Sequence, residues 1–279
     1  MGSRPLLFYD SGAGGLPYLK SVRDRLPTEH CVYLADRANF PLGEKSTRKI
    51  RRQVLETVRK AIRRFDPCLI VVACNTASVV ALRALRKRFP IPFVGVVPAV
   101  KPAALTAGTG RVAVVATRRT ASGPYLKRLV SRFATEREVI KIPVAELVNF
   151  AEFEYPMAGR ESRLEVVRKS LEPLLMYEVQ AVVLGCTHFV LLEREFAAVL
   201  KPGIDLIDSR EGVTNRVISL RNGGSAGSDA SFGNGRPFVS ARPEAELFLH
   251  GGGEDEERYR RFARIFDLRY RGQMEETRR

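Results

Sequence analysis

The chain has 279 residues, 45% of them hydrophobic, and carries 46 Lys and Arg against 31 Asp and Glu for a formal net charge of +15. That length allows two ordinary domains or one large one, with enough apolar content for a packed core. No apolar run approaches the ~18 residues of a membrane span, and the short apolar stretch of "MGSRPLLFYDSG" stops at Asp10, so no signal peptide or membrane association is expected and a cytoplasmic protein is.

In chain order, short β-rich runs alternate with amphipathic helical patterns, which signals parallel sheets flanked by helices. "PLLFYD" (5–10) reads as a strand, followed by the Gly-rich "SGAGG" and a helix to about Leu26. "CVYLAD" (31–36) is a second strand, a basic helix follows from about Ser46, and "LIVVA" (69–73) is a third strand. A helix from about Asn75 to Phe89 and the strand "FVGVV" (93–97) complete a first unit.

The second unit opens with the strand "RVAVVAT" (111–117), a helix over 120–133 and the strand "EVIKIP" (138–143). A long helix is predicted over 160–177, then the strand "AVVLG" (181–185) and a helix through about Leu200. "IDLID" (204–208) leads to a last helix from Ser209. The Gly/Ser-rich 222–236 reads as a mobile loop with no legible role, and 237–270 as a strand with two helical pieces.

The two units repeat each other in order, each with a cysteine-bearing strand late in the unit. The fold class expected is therefore α/β: two similar domains, each a mostly parallel sheet flanked by helices, with the active site in the cleft between them. The first domain is expected to span 1–98 and about 210–279, with the C-terminal return, and the second 99–209. In open α/β sheets, ligands bind beyond the carboxyl ends of the strands; Cys74, Cys186, Asp10 and Asp208 all occupy such ends.

Much of the positive charge lies in 46–65 and 81–89. Aromatic residues for base stacking are not interleaved with these arginines, so a solvated basic face is favoured over a nucleic-acid site. Cys31, Cys68, Cys74 and Cys186 are the only cysteines, without a Cys-x-x-Cys pair, and His30, His188 and His250 are scattered. Neither a disulfide framework nor a structural metal is expected.

A cysteine after an apolar strand is usually packing, and that reading suits Cys31 and Cys68. Cys74 and Cys186 differ. "ACNTA" and "GCTHF" place each before hydrogen-bonding residues at the start of a helix, where Asn75, Thr76 and Thr187 can cap free amides. Helix N-termini bind anions and lower thiol pKa values, so the expected ligand is small and negatively charged. Two equivalent groups on opposite sides suit inversion of a stereocentre, one thiolate removing a proton while the opposite thiol delivers one.

"DSGAGGL", "PLGEKS", "ACNTAS", "GVVPAVKPAA" and "LGCTHFVLL", in this order, resemble the glutamate racemases of the aspartate/glutamate racemase superfamily, over about residues 5–270. The resemblance implies a cofactor-independent isomerase that makes D-glutamate for peptidoglycan, works as a homodimer, and needs neither cofactor nor metal. It implies that Cys74 acts on D-glutamate and Cys186 on L-glutamate, with Asp10 and His188 as their polar partners. It also implies that Ser11, Asn75, Thr76, Thr187 and the backbone at Leu42 and Gly43 hold the substrate, with Asp10 and His188 beside them. A glutamate that the family places after the strand near Pro143 falls nearest Glu152, at a different spacing. Leu42 stands where the family has tyrosine, and Phe189-Val190 where it has Tyr-Pro. Related aspartate racemases carry glutamate in place of His188, which favours glutamate as substrate. The alternatives are a racemase of aspartate or another substrate such as a hydantoin, or a basic binding protein that has lost activity. With no extension ahead of the first strand, regulation through one is not expected.

Overall fold

A computed structural model describes residues 4–174, 176–223 and 243–275. The first sheet-forming stretch contains β1 (Leu6–Asp10), α1 (Leu16–Arg25), β2 (Cys31–Ala35), α2 (Thr47–Phe65), β3 (Leu69–Val72), α3 (Asn75–Arg88) and β4 (Phe93–Gly95). After α4 (Val100–Thr106) come β5 (Val112–Ala116), α5 (Arg118–Ser122), α6 (Pro124–Phe133), β6 (Val139–Pro143) and α7 (Glu146–Asn149). A π-helical turn at Phe150–Glu154 precedes α8 (Arg160–Leu171), β7 (Ala181–Leu184), α9 (Thr187–Val190), α10 (Glu193–Val199), β8 (Asp205–Ile207) and α11 (Arg210–Arg221). The chain closes with β9 (Glu246–Leu249), α12 (Glu256–Ile265) and β10 (Arg269–Gln273).

Two sheets result, one in the order β10-β9-β2-β1-β3-β4 and one in the order β6-β5-β7-β8. Among the described residues every strand pairing is parallel. Strands β1, β2, β3, β5 and β7 are buried at every position, as their unbroken apolar runs require of a sheet covered on both faces. One apolar cluster runs from Phe8, Tyr33 and Val71 of the first sheet to Val115, Val182 and Leu184 of the second. The opposite faces are closed by α2 and α3 on the first sheet and by α4 and α6 on the second.

This topology sets the site. The chain leaves β1 for β2 on one side and then returns to β3 on the other, so the strand order reverses between β1 and β3. The second sheet repeats the reversal between β5 and β7. Such switch points open a crevice at the strands' carboxyl ends. Cys74 follows β3 and Cys186 follows β7.

Helix α2 shows how charge and burial separate. Ile50, Val54, Thr57, Val58 and Ala61 form its buried stripe, the spacing of one helix face, while Arg48, Lys49, Arg51, Arg52, Arg59, Arg63 and Arg64 are exposed. Its start is capped by Ser46, which accepts from the Lys49 amide at 3.3 Å.

Several predicted spans differ. The helix expected over 120–133 is two, because Gly123 ends α5 and Pro124 begins α6. The helix expected over 160–177 stops at Leu171, just before Pro173, which cannot donate to the ladder. The helix after Cys186 is divided into α9 and α10. Of the two helical pieces expected in 237–270, the later is the helix α12, whereas Glu246–Leu249 is the strand β9; the chain then adds β10, whose charged "RYRGQ" sits at a sheet edge, the kind of sequence that discourages edge pairing. Helix α4 was not foreseen; Pro102 lies within its first turn, where a missing amide costs nothing. Most of the expected loop at 222–236 lies outside the described residues.

Candidate active site

Asp10 ends β1 fully buried. Its Oδ1 accepts the Gly12 amide at 2.8 Å and the Ser11 hydroxyl at 3.3 Å. Its Oδ2 accepts the Thr187 hydroxyl at 3.1 Å. Ser11 Oγ lies 3.6 Å from Cys74 Sγ. Thus the turn after β1 reaches one thiol directly, and the residue next to the other.

Each cysteine is itself the N-cap of a helix, Cys74 of α3 and Cys186 of α9, and each is 6% exposed. At the start of α3 the Ala77 amide therefore interacts with the first thiol, beside the positive end of the helix dipole. Asn75 does not cap the helix, as the sequence suggested. With Cys74 in the N-cap position, Asn75 is displaced into the first turn, and both polar atoms of its buried side chain lack a partner among the described residues. A buried amide left open in this way is equipped for a ligand. Thr76 and Thr187 are buried nearby, 6% and 1% exposed.

His188 is 3% exposed. Its Nε2 lies 2.9 Å from Glu152 Oε2, and Cys186 also favours the charged ring. Glu152, carried by the π-helical turn, is fully buried. Its Oε2 also accepts the Ala13 amide at 2.8 Å, and its Oε1 accepts the Tyr259 hydroxyl at 2.6 Å. Arg37 Nη1 lies 3.3 Å from the same Oε1. The spacing that separates Glu152 from the family pattern does not keep it from the cluster, because the wide π-turn projects it inward.

The glycines of "SGAGG" act as contact points. A Cβ on Gly14 would fall 2.5 Å from His188 Nδ1 and 2.6 Å from its backbone nitrogen. One on Gly12 would fall 2.3 Å from Glu152 Oε2. Only a residue without a side chain lets the first turn seat against these groups. The short turn Leu42–Glu44 packs on α3 and α5. Leu42 joins the apolar cluster that contains Cys74, and the Gly43 carbonyl accepts from Arg119 Nε at 3.2 Å. Asp208 is not brought into this cluster. Arg210 holds it, through its amide at 2.6 Å and its Nε at 2.8 Å.

Burial dominates the electrostatics of the first thiol and its carboxyl neighbour. Burial and the Asp10 charge push Cys74 up to about 12, over the opposing hydrogen bonds from Ala77 and Ser11. This reverses the lowered thiol expected from helix position alone, because burial outweighs the helix N-terminus at Cys74. Burial also raises Asp10 to about 7, against the pull of the His188 charge and the Gly12 amide. At His188 burial opposes the imidazolium, but Cys186 and Glu152 prevail and carry it up to about 10. At Glu152 burial opposes the carboxylate, and His188, Arg37 and Tyr259 together still hold it at about 2.

A separate open groove of about 2010 Å³ is lined by Pro17, Arg86, Arg163, Asp208 and Arg210 among others, and by none of the candidate site residues. Arg37 and Tyr259 were missed by sequence reasoning. Arg37 lies just past the end of β2, where the strand-end rule could have found it. Tyr259 sits in a helix with no local signal.

Two parallel sheets flanked by helices, each with a buried cysteine at the N-cap position of the helix beyond its switch point, define a two-sheet α/β protein with a cysteine on either sheet. Residues 18–214 match the family described as Asp/Glu/Hydantoin racemase, and the chain belongs to it. It is 44% identical over 217 residues to the glutamate racemase of Klebsiella pneumoniae, covering 77% of this chain and 76% of that protein. It is 40% identical over 246 residues to that of Salmonella typhimurium, covering 88% and 86%. The crystal structure of Escherichia coli glutamate racemase with L-glutamate and the activator UDP-MurNAc-ala superposes with a TM-score of 0.84 at 34% identity, covering 97% of this chain and 98% of that one.

Proposed function

We propose that this chain interconverts L- and D-glutamate without a cofactor, by proton transfer at the α-carbon between Cys186 on one face and Cys74 on the other, and so supplies D-glutamate for peptidoglycan in the cytoplasm. The carrying observation is the pair of buried N-cap thiols, each with its own polar partners, Ser11 and Asp10 for Cys74 and His188 and Glu152 for Cys186. The likeness to glutamate racemases across nearly the whole chain supports the substrate.

From L-glutamate, Cys186 as thiolate takes the α-proton, and the Cys74 thiol gives its proton to the opposite face. The product is D-glutamate, with Cys186 protonated and Cys74 ionised; the reverse reaction exchanges these roles. A Cys74 thiol held near 12 is the protonated donor the L-to-D direction requires. Negative charge developing on the substrate in the transition state faces the first amides of α3 and the open side chain of Asn75, and preformed donors of this kind lower such a barrier most. The homodimer remains part of the proposal, as does the division into domains 1–98 with 210–279 and 99–209.

The test is a panel of amino acids followed by circular dichroism without added cofactor, with sedimentation alongside. Loss of optical rotation from L-glutamate is expected. Turnover of L-aspartate but not L-glutamate overturns the substrate.

A further inference from the structure

Glu152 joins parts of the chain far apart in sequence. It arrives from the turn after β6 and meets the Ala13 amide after β1, His188 after β7, Tyr259 of α12 and Arg37 after β2. Its two oxygens divide the work. Oε2 faces the site through His188, while Oε1 faces away, toward Tyr259 and Arg37.

The outer side is built as firmly as the inner. Arg37 has a side chain only 6% exposed. Its Nε lies 2.5 Å from Asp255 Oδ2, and its guanidinium lies over the Phe40 ring at 4.3 Å and near Phe153 at 5.4 Å. Asp255 is buried and also paired with Arg258. Arg37 Nη1 meets Glu152 as an ion pair without a well-directed hydrogen bond, so the directed bond to Oε1 is that of Tyr259.

We propose that Tyr259 and Arg37 are positioning residues for the Cys186 half of the reaction: by holding Glu152 Oε1 they fix the carboxylate that orients His188 on Cys186. The proposal rests on the racemase reading for its effect on turnover, and on geometry alone for its effect on His188. Neither residue is required to touch substrate. A carboxylate that lost its outer donor or its outer cation would keep more of its negative charge for the imidazolium, so His188 would hold its proton to higher pH.

Two consequences separate positioning from mere support. The substrates are enantiomers, with an equilibrium constant of one in water. Any variant must therefore lower kcat/KM equally in both directions, and the asymmetry must appear elsewhere. It appears in the isotope effect on kcat/KM, which should grow for α-deuterated L-glutamate, whose deuteron goes to Cys186, more than for α-deuterated D-glutamate. It also appears in the pH profile, whose alkaline limb should move to higher pH.

The experiment uses the whole protein with Tyr259→Phe, which removes one hydroxyl, and with Arg37→Met and Arg37→Lys. The first readout needs no substrate: titration of ¹⁵N-histidine resonances, with His188 assigned by its absence in His188→Gln. Tyr259→Phe is expected to raise the His188 midpoint by about one pH unit, and Arg37→Met to do the same, with Arg37→Lys closer to the wild type because the charge survives. About a tenfold fall in kcat/KM, equal in both directions, should accompany the isotope asymmetry. An unmoved His188 midpoint in Tyr259→Phe overturns the proposal, whatever its activity. If Arg37→Met fails to fold, Tyr259→Phe still decides. A wild type inactive on glutamate, with the His188 shift intact, overturns the proposed function and leaves the positioning role standing.

Discussion

Thr187 donates to Asp10 across the gap between the two sheets, Oγ1 to Oδ2 at 3.1 Å. The donor stands beside Cys186 and the acceptor beside Ser11, which in turn contacts Cys74. The two thiol stations therefore share one buried carboxyl group, and its protonation bears on both.

Asp10→Asn should stabilise the protein at alkaline pH while damaging activity. Burial holds the folded-state carboxyl at about 7, against an ordinary value of 3.8. A folded-state pKa raised in this way means the folded protein binds the proton more tightly than the unfolded chain. Stability from the protonated form is thus fully present below the ordinary value and is lost as pH rises through about 7. At one pKa unit per ~1.4 kcal/mol the loss is ~4 kcal/mol at most. Denaturant melts at pH 4 and pH 8.5 read it. Asn, which cannot ionise, should gain over the wild type at the higher pH only; an equal effect at both would refute the buried charge.

Much of this site was legible in the chain because its residues are delivered by strand ends. Apolar runs such as "LIVV" and "AVVL" mark fully buried parallel strands, and the residues just past such a strand line a crevice. That rule reaches Asp10, Ser11, Cys74, Asn75, Thr187 and His188. It does not reach Tyr259, which is in a helix facing inward, nor the open state of Asn75, which depends on which residue takes the cap. The split of the helix at Gly123 was written in Gly-Pro, a pair the longer amphipathic pattern concealed. The direction of the Cys74 shift was beyond sequence, since it is decided by how completely the thiol is enclosed.

Asn75→Ala tests the open amide. Both polar atoms are buried without a partner among the described residues, so removing them should leave stability unchanged or raise it by ~1 kcal/mol. The Michaelis constant for glutamate should rise at least about tenfold, as expected when a buried hydrogen-bond pair to a ligand is lost. A destabilised variant with an unchanged Michaelis constant would place Asn75 among the structural side chains instead.

Gly14→Ala should cost both stability and turnover without altering either cysteine. The new methyl would meet the His188 ring and backbone and the Thr187 hydroxyl, all within 2.7 Å. Such overpacking costs ~1–3 kcal/mol. Gly43→Ala is the control, since its Cβ meets only Thr117, at 3.8 Å or more. Thermal melts should separate the two clearly; equal melting temperatures would show that the first turn moves freely away from His188.

The two thiols are separable by partial reactions. If Cys74 and Cys186 act on opposite faces, replacing either by Ala abolishes racemisation in both directions, whereas a one-base mechanism leaves one dispensable. In Cys186→Ala, the remaining Cys74 can take the α-proton of D-glutamate, exchange it with solvent and return it to the same face. In heavy water, D-glutamate should slowly gain deuterium while no L-glutamate appears. Cys74→Ala should show the mirror preference for L-glutamate. The rates should differ, since Cys186 keeps its imidazolium partner while Cys74 works beside a buried carboxyl group that raises it. Exchange into L-glutamate by Cys74→Ala is therefore expected to be the faster of the two. Proton NMR of the α-position monitors the exchange, and chiral chromatography checks the product. Full racemisation by either Ala variant would end the two-thiol mechanism and return that cysteine to a role in packing.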